Sequence, residues 1–253
     1  LIRKKDATNI DYSTVFYFNL VVGSLFYLIL FLSAPAISRF FNEPQLISIV
    51  RVISIGLIIS SLTIIQRTIL TKRVDFKLQA RISVIASSVS GIVAVVMAYK
   101  GFGVWALVSQ TLINQALVSI LLWLWNRWRP ILIFSKKSFN ELFGFGSKLL
   151  VSGLIDTVYN NVYYLIIGKF FSPQELGYYT RAEGFKNLPS QNLNSIISRV
   201  TYPILSDIQD DIPRLKSSYK KLISSVMFIT FTLMIGMAAV AEPMIHTLIG
   251  EKW

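Results

Sequence analysis

The chain has 253 residues, of which 53% are hydrophobic and only 15% are charged. Soluble domains carry about 25% charged residues, so this composition excludes an ordinary soluble domain. The sequence contains no cysteine and one histidine, His246, which excludes thiolate chemistry in these residues and argues against a histidine-rich metal site. Its glycine-rich stretches do not match the spacing of a phosphate-binding loop, and we expect neither a catalytic site nor a cofactor.

Four long stretches lack any charged residue: Leu20–Ile37, Ile82–Tyr99, Gly101–Asn126 and Leu222–Ala241. A helix needs roughly 20 mostly apolar residues to cross a bilayer, and weaker apolar stretches lie between these four. The sequence therefore predicts an all-α, polytopic membrane helical bundle. We place seven spans, at residues 13–38, 46–66, 82–100, 102–126, 142–168, 174–204 and 219–241.

The basic residues are unevenly distributed between the two sets of loops that seven spans create. Cytoplasmic loops of membrane proteins are enriched in lysine and arginine, so the pattern predicts a cytoplasmic Leu1 and an external Trp253. The net charge of +12 then reflects membrane topology, and we expect no nucleic acid partner. The basic set of loops contains Arg3, Lys4, Lys5, Arg67, Lys72, Arg73, Lys77, Arg81, Arg127, Arg129, Lys136, Lys137, Lys148, Arg214, Lys216, Lys220 and Lys221, and the opposite set contains Arg39, Lys100, Lys169 and Lys252.

Several segments at the ends of the spans have their own patterns. The segment Gln66–Arg81 mixes basic and apolar residues, which is typical of a cytoplasmic loop or, alternatively, of an interfacial helix on anionic lipid. Trp123, Trp125 and Trp128 indicate an aromatic anchor at the membrane interface. Arg51 lies near one end of the second span, where its side chain can reach the interface. The third span contains small residues that permit close helix packing, namely Ala86, Ser87, Ser88, Ser90 and Gly91.

Polar residues inside the fifth and sixth spans are the most informative feature for function. Charged groups facing lipid cost about 3 kcal/mol each on insertion scales, so these faces are expected to meet protein or water. One interpretation is an internal ion pair between Asp156 and either Arg181 or Arg199. The other is a hydrated cavity for an anionic substrate. By helical periodicity, one face of the fifth span holds Ser152, Asp156, Asn160 and Tyr163, and one face of the sixth holds Arg181 and Arg199 with Asn192 and Ser195 nearby.

Longer strings in the sequence point to a known family. The chain resembles the Wzx-like polysaccharide-biosynthesis flippases of the multidrug/oligosaccharidyl-lipid/polysaccharide exporter superfamily. The resemblance extends over nearly all of the chain. It rests on "RKKDATNIDYSTVFYFNL", "LTKRVDFKLQA", "GFGVWALVSQ", "FGFGSKLLVSGLIDTVYNNVYYLIIGKFFSPQELGYYTRAEGFKNLP" and "AEPMIHTLIGEKW".

The resemblance implies a particular domain organisation. Members of this family have two six-helix lobes, and the seven spans are similar to helices three to nine. On this basis residues 1–135 form a partial N-terminal lobe with four spans, in which the family's first two helices are missing. Residues 136–253 form a partial C-terminal lobe with three spans, and we expect the chain to be a fragment of a longer protein.

The resemblance also implies a function. Such proteins move undecaprenyl-diphosphate-linked oligosaccharides across the bacterial plasma membrane by alternating access, for lipopolysaccharide, capsule or exopolysaccharide synthesis. The implied partners are the lipid-linked oligosaccharide, membrane lipids and glycan polymerase machinery. The alternatives are a cation-coupled multidrug-type exporter of the same superfamily and a membrane glycosyltransferase or polymerase. The residues expected to line the substrate cavity are Arg181, Arg199, Lys186, Asn192, Asp156, Asn160 and Glu183.

Overall fold

The computed structural model of the chain describes residue 1, residues 6–187 and residues 212–250. Within these ranges all regular secondary structure is helical, which confirms the predicted all-α class. The chain divides into two compact units, Leu1–Asn160 and Asn161–Trp253. The helices are α1 (Asn9–Phe41), α2 (Leu46–Ile53), α3 (Ile55–Lys72), α4 (Phe76–Tyr99), α5 (Val104–Trp125), α6 (Lys136–Phe170), α7 (residues 173–187, where that described range ends), α8 (Ile212–Ala239) and α9 (Ala241–Leu248).

Five helical segments in the described ranges are long and apolar enough to cross a membrane. They are α1, the stretch Leu46–Lys72 that comprises α2 and α3, then α4, α5 and α8. These five coincide with the first four and the last of the predicted spans, and they confirm the membrane class. Helix α6 contains the predicted fifth span, and α7 contains the described part of the sixth, so the count of seven stays a prediction.

The segment Gln66–Arg81 is neither a long loop nor a separate interfacial helix. Helix α3 continues to Lys72 and α4 begins at Phe76, so only three residues join them. The Asp75 side chain accepts a 3.0 Å hydrogen bond from the backbone N–H of Leu78 and caps α4. An acidic cap of this kind satisfies a free N–H group in the first turn, which explains the early helix start.

The first unit has two hydrophobic clusters where its helices meet. Leu70 of α3, Ile82 and Ala86 of α4, and Val118 and Leu122 of α5 form one cluster. The buried Ala86 fits the expected close packing, but a side chain at Gly91 would have nothing within 4 Å. Phe16 of α1 forms the second cluster with Ile65 and Ile69 of α3. Both clusters include residues from α3, which therefore ties α1 to the α4–α5 pair.

Two of the three tryptophans expected at the membrane interface pack inward. Trp123 and Trp128 are half-buried against Phe16, with ring centroids 5.8 Å and 5.9 Å from the Phe16 ring. The Trp123 indole N–H donates a 3.1 Å hydrogen bond to the carbonyl of Leu62. Trp125, which is 43% exposed, is the member of the three that fits the anchor prediction.

Gln66 and Asn126 form a buried hydrogen-bonded pair at the end of α5. The Asn126 amide donates to the Gln66 side-chain oxygen at 2.7 Å and to the Gln66 carbonyl at 3.1 Å. The Gln66 amide donates in turn to the carbonyl of Trp128 at 3.2 Å. Gln66 is fully buried and Asn126 is 6% exposed. Buried polar groups are costly unless they are bonded, so these bonds fix the path of the chain as it leaves α5.

Residues 126–135, which connect α5 to α6, run along the first turns of α1. The backbone N–H groups of Ile131 and Ser135 donate to the hydroxyls of Ser13 and Thr14 at 3.0 Å and 3.1 Å. Both hydroxyl residues are fully buried. The stretch predicted to connect two lobes is therefore held against α1 within the first unit. The lobe assignment, with its boundary after residue 135, stays a prediction.

A proline and an arginine complement each other near the end of α1. Pro35 has no N–H group, so the carbonyl of Phe31, four residues earlier, lacks its helical donor. The Arg51 Nε of α2 donates to this carbonyl at 3.3 Å. The Arg51 guanidinium also lies 4.4 Å from the centroid of the Phe31 ring. Arg51 thus satisfies the carbonyl that Pro35 leaves open, rather than only reaching toward the interface.

The second unit begins within α6 and continues through α7. The sequence "SPQE" at residues 172–175 forms a capping box at the start of α7. The Glu175 carboxylate accepts bonds from the Ser172 N–H and hydroxyl at 2.9 Å and 2.8 Å, and the Ser172 hydroxyl accepts from the Glu175 N–H at 3.2 Å. Pro173 at the first helical position loses no bond, because that N–H is unpaired in any helix. These residues explain why a new helix starts here.

Candidate functional site

Three of the predicted cavity residues lie on the described part of α7. Arg181 and Lys186 are exposed, and Glu183 is half-buried. All three belong to the second unit. The helix therefore presents two cations and one partly shielded carboxylate within six residues of chain.

Glu183 is held by two neighbours. The Lys186 Nζ lies 3.4 Å from the Glu183 Oε1, in an ion pair between residues three apart on the helix. The hydroxyl of Tyr164 on α6 is hydrogen-bonded to the same carboxylate. The Tyr164 ring also meets the Tyr179 ring edge-on, with centroids 5.7 Å apart. These contacts hold the Glu183 side chain of α7 against Tyr164 near the end of α6.

The ion pair leaves the ammonium group of Lys186 accessible. The Lys186 side chain is 51% exposed and the Glu183 side chain is 19% exposed. Because water competes for the exposed ammonium group, the pair is weaker than a fully buried one.

The other predicted cavity residues lie elsewhere. Asp156 and Asn160 are exposed on α6 and belong to the first unit. The hypothetical ion pair between Asp156 and Arg181 would join the two units and stays a prediction. Arg199 and Asn192 lie outside the described residues. The structure therefore brings Glu183 and Lys186 together and leaves the grouping of the complete set as a prediction.

Sequence reasoning did not find Tyr164 as the partner of Glu183. A carboxylate in an apolar segment needs hydrogen-bond donors, so the need for a partner could have been inferred. The sequence offers several tyrosines in the preceding apolar segment, including Tyr159 and Tyr163, and periodicity does not choose among them. In the part of the chain that the structure describes, histidine, aspartate and glutamate form no group of three that could hold a metal ion.

Comparison with known proteins gives a consistent family. The chain matches the family described as polysaccharide biosynthesis protein over residues 1–253. It is 27% identical to the teichuronic acid biosynthesis protein TuaB of Bacillus subtilis and 26% identical to the lipopolysaccharide biosynthesis protein WzxC of Escherichia coli, covering 100% of this chain and 53% and 52% of those proteins. It is 23% identical to the succinoglycan biosynthesis transport protein ExoT of Rhizobium meliloti, over 95% of this chain and 49% of that protein.

The chain spans about half the length of these curated relatives. No solved structure gives a significant match. The identities are low, but the family match includes every residue of the chain. It also agrees with the apolar helices of the first unit and α8. The chain belongs to the polysaccharide biosynthesis protein family.

Proposed function

We propose that this protein moves undecaprenyl-diphosphate-linked oligosaccharides across the bacterial plasma membrane, and that it is a transporter rather than an enzyme. The observation that carries the proposal is the family match along the entire chain. Its relatives are named for polysaccharide biosynthesis, and one is named for transport. In the described residues, five helical segments are apolar enough to span a membrane, which supports a role within a bilayer.

The head group of such a lipid sets the physical problem. Its diphosphate is anionic and its sugars are polar, whereas the hydrocarbon core is about 30 Å thick. A path with cationic and hydrogen-bonding groups lowers the barrier, because a guanidinium pairs with two phosphate oxygens at once. Arg181 and Lys186 are exposed cations on α7, and Arg199 lies 18 residues beyond Arg181.

The proposed mechanism uses these cations in succession. Residues 18 apart on an unbent helix are about 27 Å apart, so Arg181 and Arg199 act as separate stations during alternating access. Glu183 holds the Lys186 ammonium group while the path is empty, and incoming phosphate replaces the carboxylate. In the proposed topology residue 1 faces the cytoplasm and residue 253 the outside, as the basic loops favour.

The test replaces Arg181 and Arg199 separately with glutamine and with lysine in the full-length protein. Glycan export is measured in cells that lack their own flippase, together with the amount of protein in the membrane. We expect glutamine to reduce export more than tenfold at normal abundance, and lysine to retain part of it because the charge remains. Lys100→Gln is the matched control, since it removes an exposed cation at the end of α4 that is not among the proposed cavity residues.

The outcomes separate transport from structure. Normal export by both glutamine variants contradicts the cationic path. If export falls only in proportion to abundance, these residues stabilise the protein and do not bind substrate. If the unaltered protein restores no export at all, the proposed function itself is wrong.

A further inference from the structure

A polar cleft lies between α4 and α5 in the first unit. Its volume is about 300 Å³, and six residues line it, none of them charged. The Asn114 amide nitrogen lies 3.3 Å from the hydroxyl oxygens of both Ser87 and Ser90, to which it donates. The Asn114 amide of α5 is therefore fixed by hydrogen bonds to two serines of α4. The lining residues are Ser87, Ser90, Gln110, Thr111, Asn114 and Gln115.

One of the lining residues has a buried acceptor without a partner. The side-chain oxygen of Gln115 is buried and receives no hydrogen bond from any residue that the structure describes. It lies where a Cβ atom on residue 56 would be, so Gly56 of α3 provides its space. Because this oxygen is closed off against α3, the accessible hydrogen-bonding groups of the cleft are its other amides and hydroxyls.

The cleft lies at the middle of both helices. Asn114 is ten residues from the start of α5, which corresponds to about 15 Å along the axis, and Ser87 is equally central in α4. That depth is the midplane of a bilayer that the two helices cross. Polar groups at the midplane are unfavourable against hydrocarbon, so this face of the first unit is expected to meet water or a polar ligand.

We propose that this cleft binds the neutral sugar part of the transported lipid. Uncharged amides and hydroxyls both donate and accept hydrogen bonds, and this combination matches the hydroxyl groups of a saccharide rather than a diphosphate. The volume lies within the range of small-molecule pockets. Substrate sites of transporters with repeated halves also lie near the midplane. This inference rests on the proposed function and assigns the sugar to a subsite within the first unit.

The first test measures binding directly in the reconstituted full-length protein, in a cysteine-free background. Ser87→Cys lies in the cleft, and Ser88→Cys, the adjacent exposed serine, does not. Vesicles of phosphatidylethanolamine and phosphatidylglycerol contain either undecaprenyl diphosphate bearing a neutral trisaccharide or bare undecaprenyl diphosphate. We expect a water-soluble thiol reagent to label Ser87→Cys about 3–10-fold more slowly with the sugar-bearing lipid, and equally fast with bare lipid and no lipid.

Each other labelling result overturns the proposal. Equal protection by bare lipid shows that the cleft senses phosphate or the lipid chain. No protection by the sugar-bearing lipid shows that no sugar enters. Ser88→Cys is the reference for a position outside the cleft. If, without substrate, the reagent labels Ser87→Cys no faster than Ser88→Cys, protein or hydrocarbon covers the cleft. These results do not depend on export, so they remain distinct from a failure of the proposed function.

The second test measures transport. Asn114→Ala and Thr111→Val remove hydrogen-bonding groups from the cleft, and one hydrogen bond corresponds to about 2–10-fold in rate. We expect reductions of this size in export at normal abundance. Thr68→Val is the matched control, because Thr68 and Thr111 both donate a solvent-exposed hydrogen bond to the carbonyl four residues earlier, at 2.8 Å and 3.0 Å. Unchanged export by Asn114→Ala, with Arg181→Gln inactive, overturns the sugar subsite and leaves the cationic path intact.

Discussion

Several polar side chains are buried in the first unit, whereas the cationic side chains of α7 in the second unit are exposed. In the first unit, Gln66, Asn126 and Asp11 are buried, and each has hydrogen-bond partners within the same unit. In the second, α8 has no buried residue, and Arg181 and Lys186 of α7 are exposed. The buried polar side chains of the first unit stabilise its fold, whereas the exposed cations of α7 are groups that we propose for substrate binding.

The largest expected difference in unfolding free energy comes from replacing one glutamine by leucine in each unit. Gln66→Leu removes the bonds to the Asn126 amide and the Trp128 carbonyl, so each of these groups loses one of its two hydrogen-bond partners next to a buried apolar side chain. We expect a loss of about 2–4 kcal/mol of unfolding free energy. Gln174→Leu changes an exposed glutamine of α7, and we expect a change of no more than about 0.5 kcal/mol. Denaturant titration in detergent micelles measures both, and similar losses would contradict the comparison.

The helices of the first unit could be predicted because their signals are local. Long apolar stretches place the spans, and the helix starts have capping residues such as Thr8 and Asp75. The inward packing of Trp123 and Trp128 could not be predicted this way. It depends on Phe16, more than 100 residues earlier, and a tryptophan near a span end is equally compatible with an interfacial anchor.

The candidate site shows the same limit. Helical periodicity could place Asp156 and Asn160 on one face of a helix, and the cost of charge in lipid could identify Arg181 and Lys186 as informative. It could not identify Tyr164 as the partner of Glu183. The sequence predicts that the serines of α4 are packing residues, but Ser87 and Ser90 accept hydrogen bonds from Asn114. The sequence shows which residues are small and polar, and only the facing helix shows whether they pack or form a cleft.

A smaller effect on the unfolding free energy tests whether Arg51 replaces the hydrogen bond that Pro35 cannot donate. Arg51→Met removes a charged donor from the Phe31 carbonyl and a cation from the Phe31 ring, and we expect a loss of about 2 kcal/mol. Pro35→Ala restores a backbone N–H that can bond the same carbonyl. In that background we expect Arg51→Met to cost about 1 kcal/mol less. A double-mutant cycle measured by the same titration gives this difference.

The control for the cycle is Arg39→Met, which removes another arginine close to Pro35 in α1. Its cost is expected to be the same in both backgrounds, because Arg39 is exposed and the proposed coupling passes through the Phe31 carbonyl alone. If the free-energy costs of Arg51→Met and Pro35→Ala are fully additive, the 3.3 Å hydrogen bond from Arg51 Nε to the Phe31 carbonyl does not replace the missing helical bond.

The smallest effect compares the two capping boxes, which have the same chemistry in different surroundings. In α1 the Asp11 side chain is 2% exposed and accepts from the Thr8 N–H at 2.9 Å and the Thr8 hydroxyl at 3.0 Å. In α7 both Ser172 and Glu175 are exposed. Thr8→Ala is expected to cost about 1–2 kcal/mol, because Thr8 is exposed but its hydroxyl bonds the buried carboxylate of Asp11, which loses that donor. Ser172→Ala is expected to cost less than half as much, since water reaches the freed groups, and Thr8→Ser, which keeps the hydroxyl, should recover most of the stability. If the two alanine variants lose the same unfolding free energy in the denaturant titration, burial of Asp11 adds nothing to the α1 cap. The contrast between the units would then not extend to their helix ends.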